Sequence, residues 1–303
     1  MGDMKDEKWS DFRMMKKFGL LLALLGIFVL VACGNDDDNV LRIGLAMDES
    51  NPGAEAANEH FISALEEATG MRVEVIEDVT YLIGIEAMRG GNLDMMLASS
   101  FNYVSASQVV DVEILATLSA PGTVTYFITH VDTDIYTMED FRGRSFAFVN
   151  EASTSGFLFP AYDLIRQFDL DATQIAMPGH SFSTVVMSGA HDNSIIGVYN
   201  GDFEGAAVAT ILLDSLHDSG IIDRNAIRVV GQTREHPSVS YIARSELGPE
   251  LIATLRAFLL NYDNPEFFAT MSAFPDPNNR WIEADAEGYE YVQSLARTLG
   301  IID

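Results

Sequence analysis

From residue 40 onward, apolar runs of strand length alternate with stretches whose apolar positions recur every three or four residues. Residues 40–47 (VLRIGLAM) form the first such run, and Asn51-Pro52 opens a helix that reaches Thr69 and is capped by Gly70. A second strand over 72–76 precedes a helix over 81–89, which Gly90-Gly91 stops. Strands over 93–98 and 112–119 flank a short helix near 101–109. A second unit begins around 123–129, with Thr137 and Asp140 placed as a capping box in which Asp replaces the usual Glu. The strand 145–150 (SFAFVN) then runs into a helix whose Phe157, Ala161, Leu164, Ile165 and Phe168 share one face. A strand near 239–243 and amphipathic helices near 249–260, 265–273 and 284–299 close the chain. Such alternation predicts an α/β fold with mostly parallel sheets flanked by helices.

The first forty residues follow a different logic. Lys16 and Lys17 precede an uncharged run over 18–32 (FGLLLALLGIFVLVA) that ends at the single cysteine, Cys33. That run is short for a membrane span, which needs roughly 20 residues. A basic segment, a short apolar segment and small residues before a cleavage point describe a secretory signal peptide over 1–32, with 1–13 as an upstream extension and Met14 or Met15 as the start. Leu30-Val31-Ala32-Cys33 resembles the lipobox of bacterial lipoproteins, which implies a lipidated Cys33 as mature N-terminus, a membrane anchor and an extracytoplasmic location. Residues 33–39 then read as a polar tether. The competing reading is a buried thiol ending a core helix.

Composition narrows the function. A length of 303 residues suits two compact units. The net charge of −27 argues against nucleic acid, since neutralising a polyanion takes a basic surface. One cysteine excludes an internal disulfide framework and a cysteine-rich zinc site. Beyond residue 32 all 13 basic residues are arginine, and none is lysine. Arginine keeps its charge where lysine loses it, near pH ~10.4, so this usage suits an alkaline or salty exterior; a solubility titration against pH and salt tests that hypothesis. Without lysine no P-loop exists there. The six histidines, at 60, 130, 180, 191, 217 and 236, show no H-x-x-x-H pair, and Gly179-His180-Ser181-Phe182-Ser183 lacks the last glycine of a nucleophile elbow. No enzyme, metal or cofactor is demanded.

One segment carries binding chemistry. Ser153-Thr154-Ser155-Gly156 lies between a predicted strand and a predicted helix, so hydroxyls and unpaired backbone N–H groups converge where the helix dipole favours an anion. Four or five hydrogen bonds to a charged group, at about 1.5–3 kcal/mol each, suffice for micromolar to nanomolar binding after ordering costs. Ser153 also fits a plain helix cap.

Five blocks in order make a resemblance specific: LRIGLAM (41–47), Tyr81 with IEAMRGGNLDMMLASSFNYV (85–104), SFAFVNEASTSGFLFP (145–160), SGAHDNSIIGVYNGDFEGAAVA (188–209) and HPSVSYIARSELGPEL (236–251). Together they resemble the substrate-binding proteins of phosphonate, phosphite and phosphate ABC importers. The resemblance implies a two-lobed type 2 periplasmic-binding-protein fold, with residues 40–123 plus 235–303 in one lobe, 124–234 in the other, and two crossover strands as hinge. It implies a monomer that captures a phosphonate-like small anion and delivers it to ABC permease transmembrane subunits. Ligand positions map onto Tyr81 and Tyr103 from one lobe and Ser153, Thr154, Ser155 and His191 from the other, with His191 supplying a ring N–H and, if protonated, positive charge. Two departures stand out. Phe203-Glu204-Gly205 replaces the usual Val-Asp-Ala, and the second crossover reads Pro237-Ser238-Val239-Ser240 where the family often carries an acidic residue, leaving Ser238 or Ser240 as a neutral substitute. Another small anion, a thiamine-precursor-like ligand and a sensory role on the same fold remain open from sequence.

Overall fold

The chain builds its first sheet, leaves it for a second, and returns. The computed structural model describes residues 39–45, 53–77, 79–120, 124–271 and 274–302. The expected signal peptide, the expected lipidation at Cys33, the expected tether to residue 38, the Asn51-Pro52 helix start and residues 121–123 lie outside them.

Strand β1 (Val40–Gly44) leads to helix α1 (Ala54–Thr69), β2 (Arg72–Val75), α2 (Tyr81–Arg89), β3 (Met95–Ala98), α3 (Ser100–Ala106) and β4 (Val112–Leu118). The second sheet takes β5 (Thr125–His130), β6 (Ser145–Phe148), β7 (Thr184–Met187), β8 (Gly205–Ala209) and β9 (Ile227–Gln232), with α4 (Phe159–Phe168), α5 (His191–Asn200) and α6 (Thr210–Asp218) between them. The return places β10 (Ser240–Arg244) and β11 (Trp281–Ile282) in the first sheet, with α7 (Pro249–Asn261), α8 (Pro265–Ala269) and α9 (Ala286–Thr298) outside it.

The orders are β11-β4-β10-β3-β1-β2 and β7-β6-β8-β5-β9. Parallel pairs join β1 to β3, and β6 to both β7 and β8. One strand inside each sheet runs the other way: β10 between β3 and β4, and β5 between β8 and β9. Each is the first strand after the chain crosses from the other sheet. A strand entering directly needs no helical crossover to restore its direction, so it can lie antiparallel. The two crossing segments are tied to each other. Thr125 and Thr233 exchange bonds of 3.0 Å, N to Oγ1 one way and N to O the other, and Leu118 N donates to Val239 O at 2.9 Å.

Each sheet buries its own aromatic cluster. Against the first, Phe61 of α1 stacks on Phe267 at 4.7 Å and meets Tyr262 edge-on at 5.1 Å. Beside the second, Phe146 stacks on Phe182 at 4.8 Å and meets Phe148 at 5.0 Å. Full burial of such a ring stabilises by roughly 1.5–3 kcal/mol. Val292, Leu295 and Ala296 of α9 join Phe101 and Val104 of α3 and Phe157–Phe159 in one apolar cluster. Polar groups are matched as well: Asp94 accepts from the Arg244 guanidinium at 2.6 Å and from Arg42 N at 2.8 Å, pinning β10 to the turn before β3.

Most elements fall where the hydrophobic pattern puts them. The expected helix over 265–273 is the exception, stopping at Ala269. Thr270 Oγ1 bonds back to Glu266 O at 3.0 Å, a side-chain bond that competes with continuation.

Candidate functional site

The site is built on the turn after β6. Asn150 shapes it, accepting from Ala152 N through Oδ1 and from Ser153 N through its carbonyl, each at 2.9 Å. Ser153 Oγ accepts from Gly156 N at 3.0 Å, and Leu158 N reaches back five residues to Ser153 O at 3.0 Å. Residues Thr154–Leu158 thus form one π-turn that flows into α4. The turn lies so close to β6 that a Cβ on Gly156 would stand 2.4 Å from the Val149 side chain, so only glycine fits. The N–H groups of Thr154 and Ser155 open the helix and have no acceptor within it.

His191 opens α5. Its Nδ1 accepts from Ala209 N at 3.1 Å, so the ring proton sits on Nε2 and donates to Ser155 Oγ, also at 3.1 Å. Ser155 is thereby left with its own hydroxyl proton to give, strengthened by the bond it accepts. Its carbonyl is fixed by Thr125 Oγ1 at 2.8 Å. Burial, and then the neighbouring His236, push the His191 pKa down to about 3. Of the two roles expected for His191, a ring N–H donor and, if protonated, a positive charge, the buried setting favours the neutral donor, because burial and His236 both oppose a proton there.

Thr154 is occupied otherwise. Its Oγ1 accepts from Phe101 N at 2.7 Å and lies 3.2 Å from Ser100 Oγ, joining the head of α3 on the first lobe to the turn on the second. Tyr81 also crosses between lobes. Its hydroxyl meets Ser153, and burial, with a smaller push from Asp192, raises its pKa. Tyr81 has φ of +42°, rare for a residue with a side chain. Such backbone strain costs about 1–3 kcal/mol and clusters where geometry serves function.

Of the six residues expected to contact ligand, the fold gathers Tyr81, Ser153, Thr154, Ser155 and His191. Tyr103, on α3, packs against the same apolar cluster as Tyr81 and edge-on against Tyr289 at 5.4 Å, and its pKa is raised by burial and by Glu113. Ser240 is internal, sharing its hydroxyl with Thr117 at 2.7 Å and with Tyr289. Ser238 Oγ is buried without a protein partner. Glu204 proves structural, holding Arg144 at 3.0 Å and Ser145 N at 2.9 Å. His236, which sequence reasoning passed over, is buried beside His191; its place directly before Pro237 in the second crossover was the available signal. Among the described residues no cluster of His, Cys, Asp and Glu could hold a metal, and no helix is long and apolar enough to cross a membrane.

Residues 43–289 match the family described as ABC transporter, phosphonate, periplasmic substrate-binding protein. The chain belongs to that family. It is 28% identical over 228 residues to the phosphate-import protein PhnD of Mycolicibacterium smegmatis, covering 73% of this chain and 71% of that one. The solved structure of PhnD1 from Prochlorococcus marinus, in complex with methylphosphonate, shares the fold at a TM-score of 0.72 and 20% identity, over 87% of this chain and 99% of that chain. A binding-protein component of an ABC phosphonate transporter from Pseudomonas aeruginosa gives 0.71 at 20% identity, over 86% of each chain. The fold is thus the two-lobed one of periplasmic binding proteins, and the relatives are transport proteins that bind substrate.

Proposed function

We propose that this chain is the lipid-anchored, extracytoplasmic receptor of an ABC importer, holding a phosphonate, phosphite or phosphate ion between its lobes and presenting it to the permease. Residues 40–123 with 235–303 form one lobe and 124–234 the other, and the lipid on Cys33 tethers both to the membrane. Its work is binding, closure and delivery, without turnover.

The observation that carries this reading is the set of neutral donors at the head of the π-turn: the Ser155 hydroxyl aligned by His191, the Thr154 and Ser155 N–H groups, and Tyr81 across from them. Such a set binds a tetrahedral oxyanion through directed hydrogen bonds and helix dipole, without a cationic side chain. That suits a chain of net charge −27. No acid stands among Pro237-Ser238-Val239-Ser240 to meet a ligand amine, so small ligands without one are favoured.

Calorimetric titration of the purified protein tests this, with phosphate, phosphite, methylphosphonate, ethylphosphonate and 2-aminoethylphosphonate against sulfate and taurine. Micromolar or tighter binding of one phosphorus oxyanion is expected. A folded protein silent to all five would refute it.

A further inference from the structure

The second crossover carries a buried polar group that the binding reading does not use. His236 is 6% exposed, and its Nε2 has no protein partner. Its Nδ1 lies 3.4 Å from the Pro237 carbonyl oxygen, which can only accept, so Nδ1 bears the proton. In the neutral ring Nε2 is then a bare lone pair. Burial holds the ring neutral, with its pKa pushed down to about 4.

The ring packs 5.1 Å, centroid to centroid, from Phe159, the first residue of α4 beyond the π-turn. It also lies near enough to His191 that its charge would oppose a proton there. The neighbouring groups that face an anion are donors: the Ser155 hydroxyl, the Tyr81 hydroxyl and two backbone N–H groups. His236 Nε2, unlike them, is an acceptor that no protein group meets. A fully deprotonated oxyanion offers that atom only lone-pair repulsion, whereas one that keeps a proton donates its hydroxyl to it.

We propose that His236 Nε2 accepts a hydrogen bond from the hydroxyl of a singly protonated phosphorus oxyanion, and so distinguishes such ligands from sulfate and sulfonates, which have no proton to give. This deepens the proposed function and rests on it. An unmet buried acceptor disfavours the wrong ligand more than an added contact favours the right one, as in other sites built around a hydrogen-bonding substrate group.

The test is calorimetry on the full protein and its His236→Phe and His236→Asn variants, buffered below the second ionisation of the phosphonate. The four titrants are phosphate, methylphosphonate, sulfate and methanesulfonate. His236→Phe should weaken both phosphorus ligands at least tenfold and leave the sulfur ligands unchanged or tighter. His236→Asn, whose Oδ1 accepts, should recover part of the loss. Equal losses in both series, or no loss in either, overturn the proposal while leaving the oxyanion reading intact. A wild-type protein silent to all four ligands removes both. Nitrogen-15 spectra of the wild-type ring give an answer that needs no folded variant. A free protein with the proton on Nδ1, and an Nε2 resonance that moves on phosphate addition, supports the assignment; a proton found on Nε2 sinks it.

Discussion

Mild acid should destabilise this fold through two buried rings, and the sign follows from their pKa values. His191 falls from 6.5 to about 3 and His236 from 6.5 to about 4 on folding. Folded pKa values below the unfolded ones mean that the unfolded chain binds more protons. The stability these rings allow is complete above the unfolded value and is lost as pH falls toward the folded ones. Each ring costs about 1.36 kcal/mol per pH unit, so the pair costs about 4 kcal/mol between pH ~6.5 and ~5. That sum is a ceiling, since the first proton to enter repels the second. Asp163 works in the opposite direction, because burial raises its pKa from 3.8 to about 6 against the pull of Arg166 and Arg234. It gives back about 1.4 kcal/mol as pH drops from ~6 to ~5. The net expected loss is therefore roughly 2–3 kcal/mol. Urea melts at half-unit pH steps measure it, on the wild type, on His191→Gln, on His236→Gln and on the double variant. The wild type should lose stability on acidification through this window, and the double variant should gain slightly, with Asp163 acting alone. A flat wild-type curve, or the same slope in the double variant, would refute the argument that these rings are held neutral by burial.

Replacing Ser155 with Ala should weaken oxyanion binding at least tenfold by calorimetry, at a stability cost of no more than about 1–3 kcal/mol for leaving the buried His191 Nε2–H without its acceptor; unchanged affinity removes the turn from the site. Thr154→Val should lower affinity too, but with a more open ligand-free shape in small-angle scattering, since its hydroxyl joins the lobes rather than the ligand. Gly205→Ala would set a Cβ 2.2 Å from the Phe141 ring, and overpacking of that kind costs about 1–3 kcal/mol in denaturant melts. Arg244→Met leaves Asp94, with a side chain only 4% exposed, as an unpaired buried acid, and a loss of roughly 3–5 kcal/mol is expected from the same assay.

Hydrophobic period alone placed β1 to β4, β6, β10 and most of the helices around them, because local alternation reports directly on which face is buried, but it did not separate β7, α5, β8, α6 and β9. The direction of β5 and β10 was not legible, since antiparallel entry depends on where the chain has just been. Nor was the π-turn: Ser153 reads as an ordinary cap, and the five-residue reach of Leu158 reflects packing of Gly156 on Val149. His191 shows the same limit for charge. Its identity and position were readable, but its neutrality comes from burial and from His236, which the returning chain brings near it. His236 carried no periodic or motif signal, only its place before Pro237. Ser240 looked like a ligand candidate until Thr117 and Tyr289 were seen to use it, and Glu204, a departure from the family pattern, is taken up by Arg144 and Ser145.

The bond from Phe101 N to Thr154 has a kinetic consequence. It involves no ligand atom, so it favours the shut arrangement whether or not an anion is inside. A net contribution of about 0.5–1.5 kcal/mol raises the shut fraction of empty molecules several-fold. Anions enter only while the lobes are apart, so this latch slows capture, yet it slows escape as well once the anion is held. Residence time, and with it the chance of meeting a permease before the cargo is lost, is therefore set partly by a threonine hydroxyl that never touches the cargo.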